Sequence, residues 1–151
     1  MKVITVNKKA FFDYEIIEKL EAGLELVGSE VKSLREGRVN LKDSFVEVRG
    51  QQAFLIHAHI SPYPNASYNN HEPERVRRLL LHHREIHRLD QKVRAKGVTI
   101  MPLRLYFNDQ GRAKIEIGLA RGKREYEKKQ KIKEKDVKRE IDRDMRHFKK
   151  R

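Results

Sequence analysis

Five arginines, Arg75, Arg77, Arg78, Arg84 and Arg88, fall within fourteen residues around the apolar run Leu79-Leu80-Leu81. A guanidinium presents a planar fork of donors that matches a phosphate through two parallel hydrogen bonds, so this cluster suits a nucleic-acid backbone. Tyr63, Tyr68, Asn69 and Asn70 lie nearby in sequence and offer rings and amides to unpaired bases. The competing reading is a solvated basic helix face. Histidine supplies a second candidate chemistry. His57 and His59 are spaced as on one face of a strand, and His83 and His87 as on one face of a helix, with His82 beside them. Such spacings can ligate zinc or supply the acid and base of a ribonuclease. No cysteine is present, however, and no carboxylate completes a metal motif such as H-E-x-x-H. The expectation is therefore no catalytic residue, no metal and no cofactor. Arg121-Gly122-Lys123 has the look of a phosphate-loop ending, but Arg124 stands at the Ser/Thr position and the upstream glycines are missing.

Strands must carry most of these groups. Phe54, Ile56, Ala58 and Ile60 alternate with Leu55, His57 and His59, and Val46 and Val48 alternate with Glu47 and Arg49 across a turn at Gly50-Gln51-Gln52. Leu103, Leu105 and Phe107 alternate with Arg104 and Tyr106. Asn108-Asp109-Gln110-Gly111 then turns the chain, and Ala113, Ile115, Ile117 and Leu119 return along one face. An extended pair is expected over Tyr14–Leu20 and Leu24–Val27, punctuated by Gly23. Two helices interrupt the strands. In the first, Ser29 caps, Val31 and Leu34 face inward and Gly37 stops it. The second carries Ile86, Leu89 and Val93 and ends at Gly97. Short antiparallel strands with small connecting helices predict a mainly β chain, a closed antiparallel barrel of oligonucleotide-binding type. A flat α+β sandwich is the alternative.

Charge divides the chain. Residues 121–151 hold fifteen Lys/Arg against seven Asp/Glu, whereas residues 1–120 hold twenty against fifteen. Few apolar residues punctuate the basic segment, too few to offset the entropy of ordering it alone. Val137, Ile141, Met145 and Phe148 nevertheless fall within an arc of about 80° on a helical wheel, with Tyr126 near the same face. The segment is expected either to become helical when a partner neutralises it or to act as a non-specific basic arm. A net charge of +13 and a pI of about 10.0 favour nucleic acid as that partner. No apolar run approaches a membrane span, and the apolar N-terminal stretch is too short for a signal peptide, so a cytoplasmic location and no membrane partner are expected.

Several ordered blocks carry a family resemblance. Asn7-Lys8-Lys9-Ala10, Asp13-Tyr14-Glu15-Ile16 and Glu21-Ala22-Gly23 resemble the opening of the SmpB family, and Gly28-Ser29-Glu30-Val31-Lys32-Ser33-Leu34-Arg35 resembles its most recognisable block. Arg78-Leu79-Leu80-Leu81-His82, Lys96-Gly97-Val98-Thr99 and Gly118-Leu119-Ala120-Arg121-Gly122-Lys123 follow in the family's order. The resemblance spans essentially the full length. It implies an oligonucleotide-binding barrel over residues 1–122 with two or three peripheral helices. Residues 123–151 would be a basic tail, disordered when free and helical on the ribosome.

The same resemblance implies a tmRNA-binding adaptor of trans-translation that performs no covalent chemistry. It would hold the tRNA-like domain of tmRNA, reach the ribosome's decoding centre and probe the vacant mRNA channel with its tail. Elongation factor Tu would be met only through tmRNA. Asn7, Lys8, Glu21, Leu80 and His82 match family positions implicated in tmRNA binding, although some members carry Asn where His82 stands. Lys32, Arg35 and Lys123 lie in the matching blocks and join Arg75, Arg77 and Arg78 as expected RNA contacts. Acidic Glu21 suits a base or 2′-hydroxyl donor rather than phosphate. Tyr126, Glu127, Lys128, Lys129, Ile141 and Met145 would serve the ribosome. Here Glu127-Lys128-Lys129 replaces the commoner Asp-Lys-Arg, exchanging an arginine fork for an ammonium. The alternatives are a structural protein of ribosomal RNA and a histidine- or metal-dependent ribonuclease.

Overall fold

The computed structural model describes residues 1–64 and 70–123. These form a mainly β chain with three helices. In order they are β1 (Lys2–Val6), α1 (Lys8–Asp13), β2 (Tyr14–Leu24), α2 (Gly28–Arg35), β3 (Val39–Asn40) and β4 (Phe45–Arg49). β5 (Gln52–Ile56), β6 (His59–Ile60), β7 (Arg77–Leu80), α3 (His83–Val93), β8 (Val98–Phe107) and β9 (Ala113–Gly122) complete them. Among the described residues no helix is long and apolar enough to cross a membrane. All strand pairings are antiparallel. The main sheet runs β1-β8-β4-β5-β7-β2-β9, with β9 also paired to β8, while β3 and β6 pair separately.

Turn chemistry works where the sequence placed it. Gly111, at φ 73°, lets β8 fold back on β9 with Phe107 opposite Ala113. Gly50, at φ 60°, closes β4 on β5 with Arg49 opposite Gln52, so Gln52 belongs to the strand and not to the turn. Two strand expectations need correction. Tyr14–Leu24 is one strand with Gly23 inside it, where an added Cβ would lie 3.1 Å from Leu80 Cβ and press against that side chain. The alternation over 54–60 also breaks. His57 adopts φ 63°, and this left-handed residue shifts the phase, so Ala53 and Leu55 are buried before it and Ala58 and Ile60 after it.

Pro102 causes a third departure. It has no N–H for the β8–β9 ladder, and the register slips between Pro102 and Arg104. Leu105 and Phe107 therefore face the main core with Ile115, Ile117 and Leu119, whereas Leu103 joins Met101, Ala120 and Ala10 of α1 in a second cluster. Three carbonyls hold the start of α1: Leu103 O accepts the Asn7 N–H at 2.8 Å, and Pro102 O and Leu41 O accept from Asn7 Nδ2 at 2.9 and 3.5 Å. Asn7 Oδ1 in turn accepts the Ala10 N–H and caps the helix.

α3 meets its expectation, burying Ile86 and Leu89 with Val93 half-buried before Gly97 at φ 79°. α2 stops at Gly37 as expected, but its start differs. Val27 is the N-cap, and Glu30 Oε1 accepts the Val27 N–H at 2.9 Å. Ser29 lies inside the helix, its hydroxyl 2.8 Å from His71 Nδ1, while His71 Nε2 donates to Ile60 O at 2.8 Å.

Glu30 is fully buried and holds more than a helix end. Arg75 Nη2 donates to its Oε1 at 2.6 Å and Arg77 Nε donates to its Oε2. Arg77, itself fully buried, also donates to Ala58 O at 2.7 Å and Pro73 O at 3.0 Å. Burial alone would push the Glu30 carboxyl up, but hydrogen bonds from Arg75, the Val27 N–H and Arg77 outweigh it and hold the group below its ordinary value of 4.5. Removing either partner strands a buried charge, so Glu30→Gln and Arg77→Met should each lose about 3–5 kcal/mol in urea unfolding at neutral pH. A carboxyl depressed on folding stabilises above its unfolded pKa and loses that contribution as pH falls through the folded one. Between about pH 7 and pH 3 the native chain should therefore lose more stability than Glu30→Gln.

Candidate nucleic-acid interface

Four strands and a helix cap meet in an open cleft of about 550 Å³. β2 contributes Glu21 and Gly23, β7 and its exit contribute Arg78, Leu79, Leu80 and Leu81, and His82, His83 and Glu85 come from the start of α3. Gln51 and Gln52 of the β4–β5 hairpin and Lys114 of β9 complete the rim. The register explains the convergence. Gly23 pairs with Leu80 and also with Lys114, which places Glu21 near the chain's exit from β7. Leu80 is 47% exposed, an apolar surface that the core does not use. His82, also exposed, is the extended N-cap of α3, held by its N–H donating to Glu85 Oε1 at 3.0 Å. Glu21 accepts a hydrogen bond from the buried Tyr106 hydroxyl. Burial first, and then that bond to the carboxylate, push the Tyr106 phenol up to about 12.

The expected arginine patch divides on inspection. Arg77 is an interior residue bound to Glu30, and its assignment as a phosphate contact is corrected on that ground. Arg75 has Nη2 committed to Glu30 but keeps about a third of its side chain exposed. Arg78 is exposed on the cleft, 3.2 Å from Glu25, Arg84 is exposed on α3, and Arg88 pairs with Glu18 at 2.7 Å. Asn7 is buried, with its amide engaged in capping α1, so its expected direct contact is replaced by a role in setting that helix. Lys8 is exposed on α1. Lys32 lies over the Tyr63 ring at 5.5 Å and Arg35 is exposed at the end of α2. Lys123 Nζ donates to Phe11 O at 3.0 Å and its N–H to Asp13 O at 3.0 Å. Lys123 follows Gly122, which pairs with Tyr14, so it stands about 23 Å along β2 from Glu21. The cleft thus gathers Glu21, Arg78, Leu80 and His82 and leaves the other predicted residues outside it. Tyr68, Asn69, Tyr126, Glu127, Lys128, Lys129, Ile141 and Met145 lie outside the described residues.

The histidine expectations resolve by position. His57, in the left-handed conformation, tilts against the Phe45 ring at 5.7 Å, whereas His59 is on β6, 4.0 Å from Glu74. They do not share one uninterrupted strand face. Among the described residues no group of three or more His, Asp or Glu is gathered to hold a metal ion.

The family described as SmpB protein matches residues 4–147. The chain belongs to the SmpB family. The SsrA-binding protein of Syntrophobacter fumaroxidans is 57% identical over 94% of this chain and 88% of its own. Those of Thermosipho melanesiensis and Enterococcus hirae are 53% and 51% identical over 93% and 97% of this chain, and 96% and 95% of theirs. A solved chain described by the words "tmRNA-SmpB: a journey to the center of the bacterial ribosome" aligns with a TM-score of 0.70 and 47% identity, covering 83% of this chain and 87% of that one.

Tyr106, which holds the cleft residue Glu21 from behind, is what sequence reasoning missed in this SmpB-family chain. Alternation put it outward beside Arg104, and only the packing of three strands shows its hydroxyl meeting a carboxylate 85 residues away. Glu30 and His71 escaped for the same reason, since each partner comes from a distant element. Phosphate attraction should follow exposure. Arg78→Gln and Arg84→Gln should each reduce the slope of log affinity against log salt by about one on a tRNA-like RNA. Arg77→Met should leave that slope unchanged in the fraction that remains folded.

Proposed function

We propose that this chain is a tmRNA-binding adaptor of trans-translation. It binds the tRNA-like domain of tmRNA, delivers it to stalled ribosomes and probes the empty mRNA channel with residues 123–151. The observation that carries this reading is the convergence of Glu21, Leu80 and His82. They come from β2, β7 and the cap of α3, yet they line one cleft. Family membership and the solved tmRNA–SmpB relative supply the identity of the RNA.

The supporting scaffold is a closed barrel of oligonucleotide-binding type over residues 1–122. Pairing runs from β8 through β4, β5, β7, β2 and β9 and back to β8, while β1 adds to β8 beyond the stretch used by β4. Such a barrel presents a fixed outer face to RNA without free edges along the ring. Its partners are tmRNA, the decoding centre and mRNA channel of the ribosome, and elongation factor Tu through tmRNA alone. It works in the cytoplasm and performs no covalent chemistry. The cleft fits recognition better than catalysis, since it joins an acceptor, an apolar surface and a histidine to flanking cations.

Affinity for the tRNA-like domain of tmRNA should exceed that for an elongator tRNA by a hundredfold or more at near-physiological salt. Leu80→Ala and His82→Ala should remove most of that preference with little effect on stability, because both side chains are exposed. A chain ending at Lys123, which retains the bonds to Phe11 and Asp13, should bind the RNA but fail to rescue stalled ribosomes. Equal affinity for the two RNAs would refute the adaptor reading and favour a ribosomal-RNA protein, and degradation of the RNA would favour a ribonuclease.

A further inference from the structure

Acidic side chains stand face to face beside the cleft. Glu21 on β2 lies opposite Glu116 on β9, and Glu116 lies opposite Arg104 on β8. Two carboxylates directly opposite each other in an antiparallel pair repel. β8 treats the two differently. Arg104 binds Glu116 through two bonds, Nη2–Oε2 at 2.7 Å and Nε–Oε1 at 3.3 Å, and Lys19 Nζ stands 4.0 Å from the same carboxylate. Glu116 is thereby neutralised in place. Glu21 receives a neutral donor instead. Its Oε2 accepts from the hydroxyl of Tyr106, two residues along β8 from Arg104, and no ion pair joins it to any of the described residues.

A neutral donor fixes a carboxylate without cancelling its charge. The Tyr106 ring is 5% exposed and anchored in the sheet, so it cannot stack on a base, whereas Glu21 is exposed and lines the cleft. An anion at this point works against phosphate and selects groups that donate hydrogen bonds. Arg78 and Lys114 on the same rim supply the attraction that Glu21 does not. A carboxylate held at one oxygen also loses less side-chain freedom when RNA arrives, and so loses less affinity.

We propose that Tyr106 is the positioning residue for RNA recognition in this cleft, clamping Oε2 of Glu21 so that Oε1 is presented as a fixed acceptor to a donor on the RNA, a 2′-hydroxyl or a base amino group. The inference rests on the reading of the cleft as the site for the tRNA-like domain. Sorting the acidic pair makes Glu116 structural and leaves Glu21 to the ligand.

The test is a double-mutant cycle with Tyr106→Phe, which keeps the ring and removes the hydroxyl, and Glu21→Gln. Affinity for the tRNA-like domain should fall about tenfold with Tyr106→Phe, or about 1.4 kcal/mol. Elongator tRNA binding, the salt slope and the urea midpoint should stay close to wild type. In the Glu21→Gln background, Tyr106→Phe should have no further effect, as for two groups acting through one interaction. Wild-type affinity for Tyr106→Phe, or an undiminished further loss in the double variant, would overturn the positioning role. An unchanged affinity for Glu21→Gln alone would instead overturn the reading of the cleft itself. Repeating the cycle on RNAs carrying 2′-deoxy or inosine substitutions distinguishes the donors. Loss of the Glu21 effect with one set identifies the 2′-hydroxyl or the amino group, and persistence with both would refute a fixed acceptor.

Discussion

A carboxylate closed off from water between two arginines organises this fold. Glu30 binds the backbone at the start of α2 and both Arg75 and Arg77. Arg77 extends the network to the carbonyls of Ala58 and Pro73, so three segments distant in sequence share one charge. Burying ions is unfavourable unless their donors and acceptors are matched, and here both Glu30 oxygens are paired, while one buried donor, Arg75 Nε, has no partner among the described residues. The result is orientation more than net stabilisation. Arg77 opens β7, and three residues on β7 ends at Leu80 in the cleft. The entry angle of that strand, and so the place of Leu80 and His82, follows from a bond formed on the far side of the sheet.

Charge therefore has two populations in this chain. The formal +13 counts Arg77, whose field is cancelled at Glu30, equally with Arg78 and Arg84 on the surface. The effective attraction toward a polyanion comes from the exposed set alone, while the proposed site would draw its specificity from groups with little net pull, an acid, a leucine and a histidine. Such a division is general in nucleic-acid recognition, where phosphate contacts hold and other contacts discriminate.

What was legible in the sequence was local. Gly50 and Gly111 marked turns and Gly97 a helix end because positive φ favours glycine, and Ile86 and Leu89 marked α3 because helical periodicity needs no partner. What failed was also local in origin but non-local in effect. One left-handed histidine and one proline each shifted a strand's phase by a residue, which moved Leu103 to another cluster and changed the inward set after His57. A period-two pattern cannot report a single-residue slip, because both registers look equally regular until the partner strand is known. The cleft residues Glu21, Leu80 and His82 were found through family resemblance, whereas Arg77 was misplaced because an arginine among arginines carries no mark of burial.

The contact between Gly23 and Leu80 links the shape of the cleft to a position that carries no side chain. A methyl group on residue 23 would lie 3.1 Å from Leu80 Cβ and 3.4 Å from its Cδ1. A side chain there would have to push Leu80 aside by a few tenths of an ångström and so change the contour offered to a ligand. The two positions are thus coupled by steric room as well as by the strand pairing that joins them.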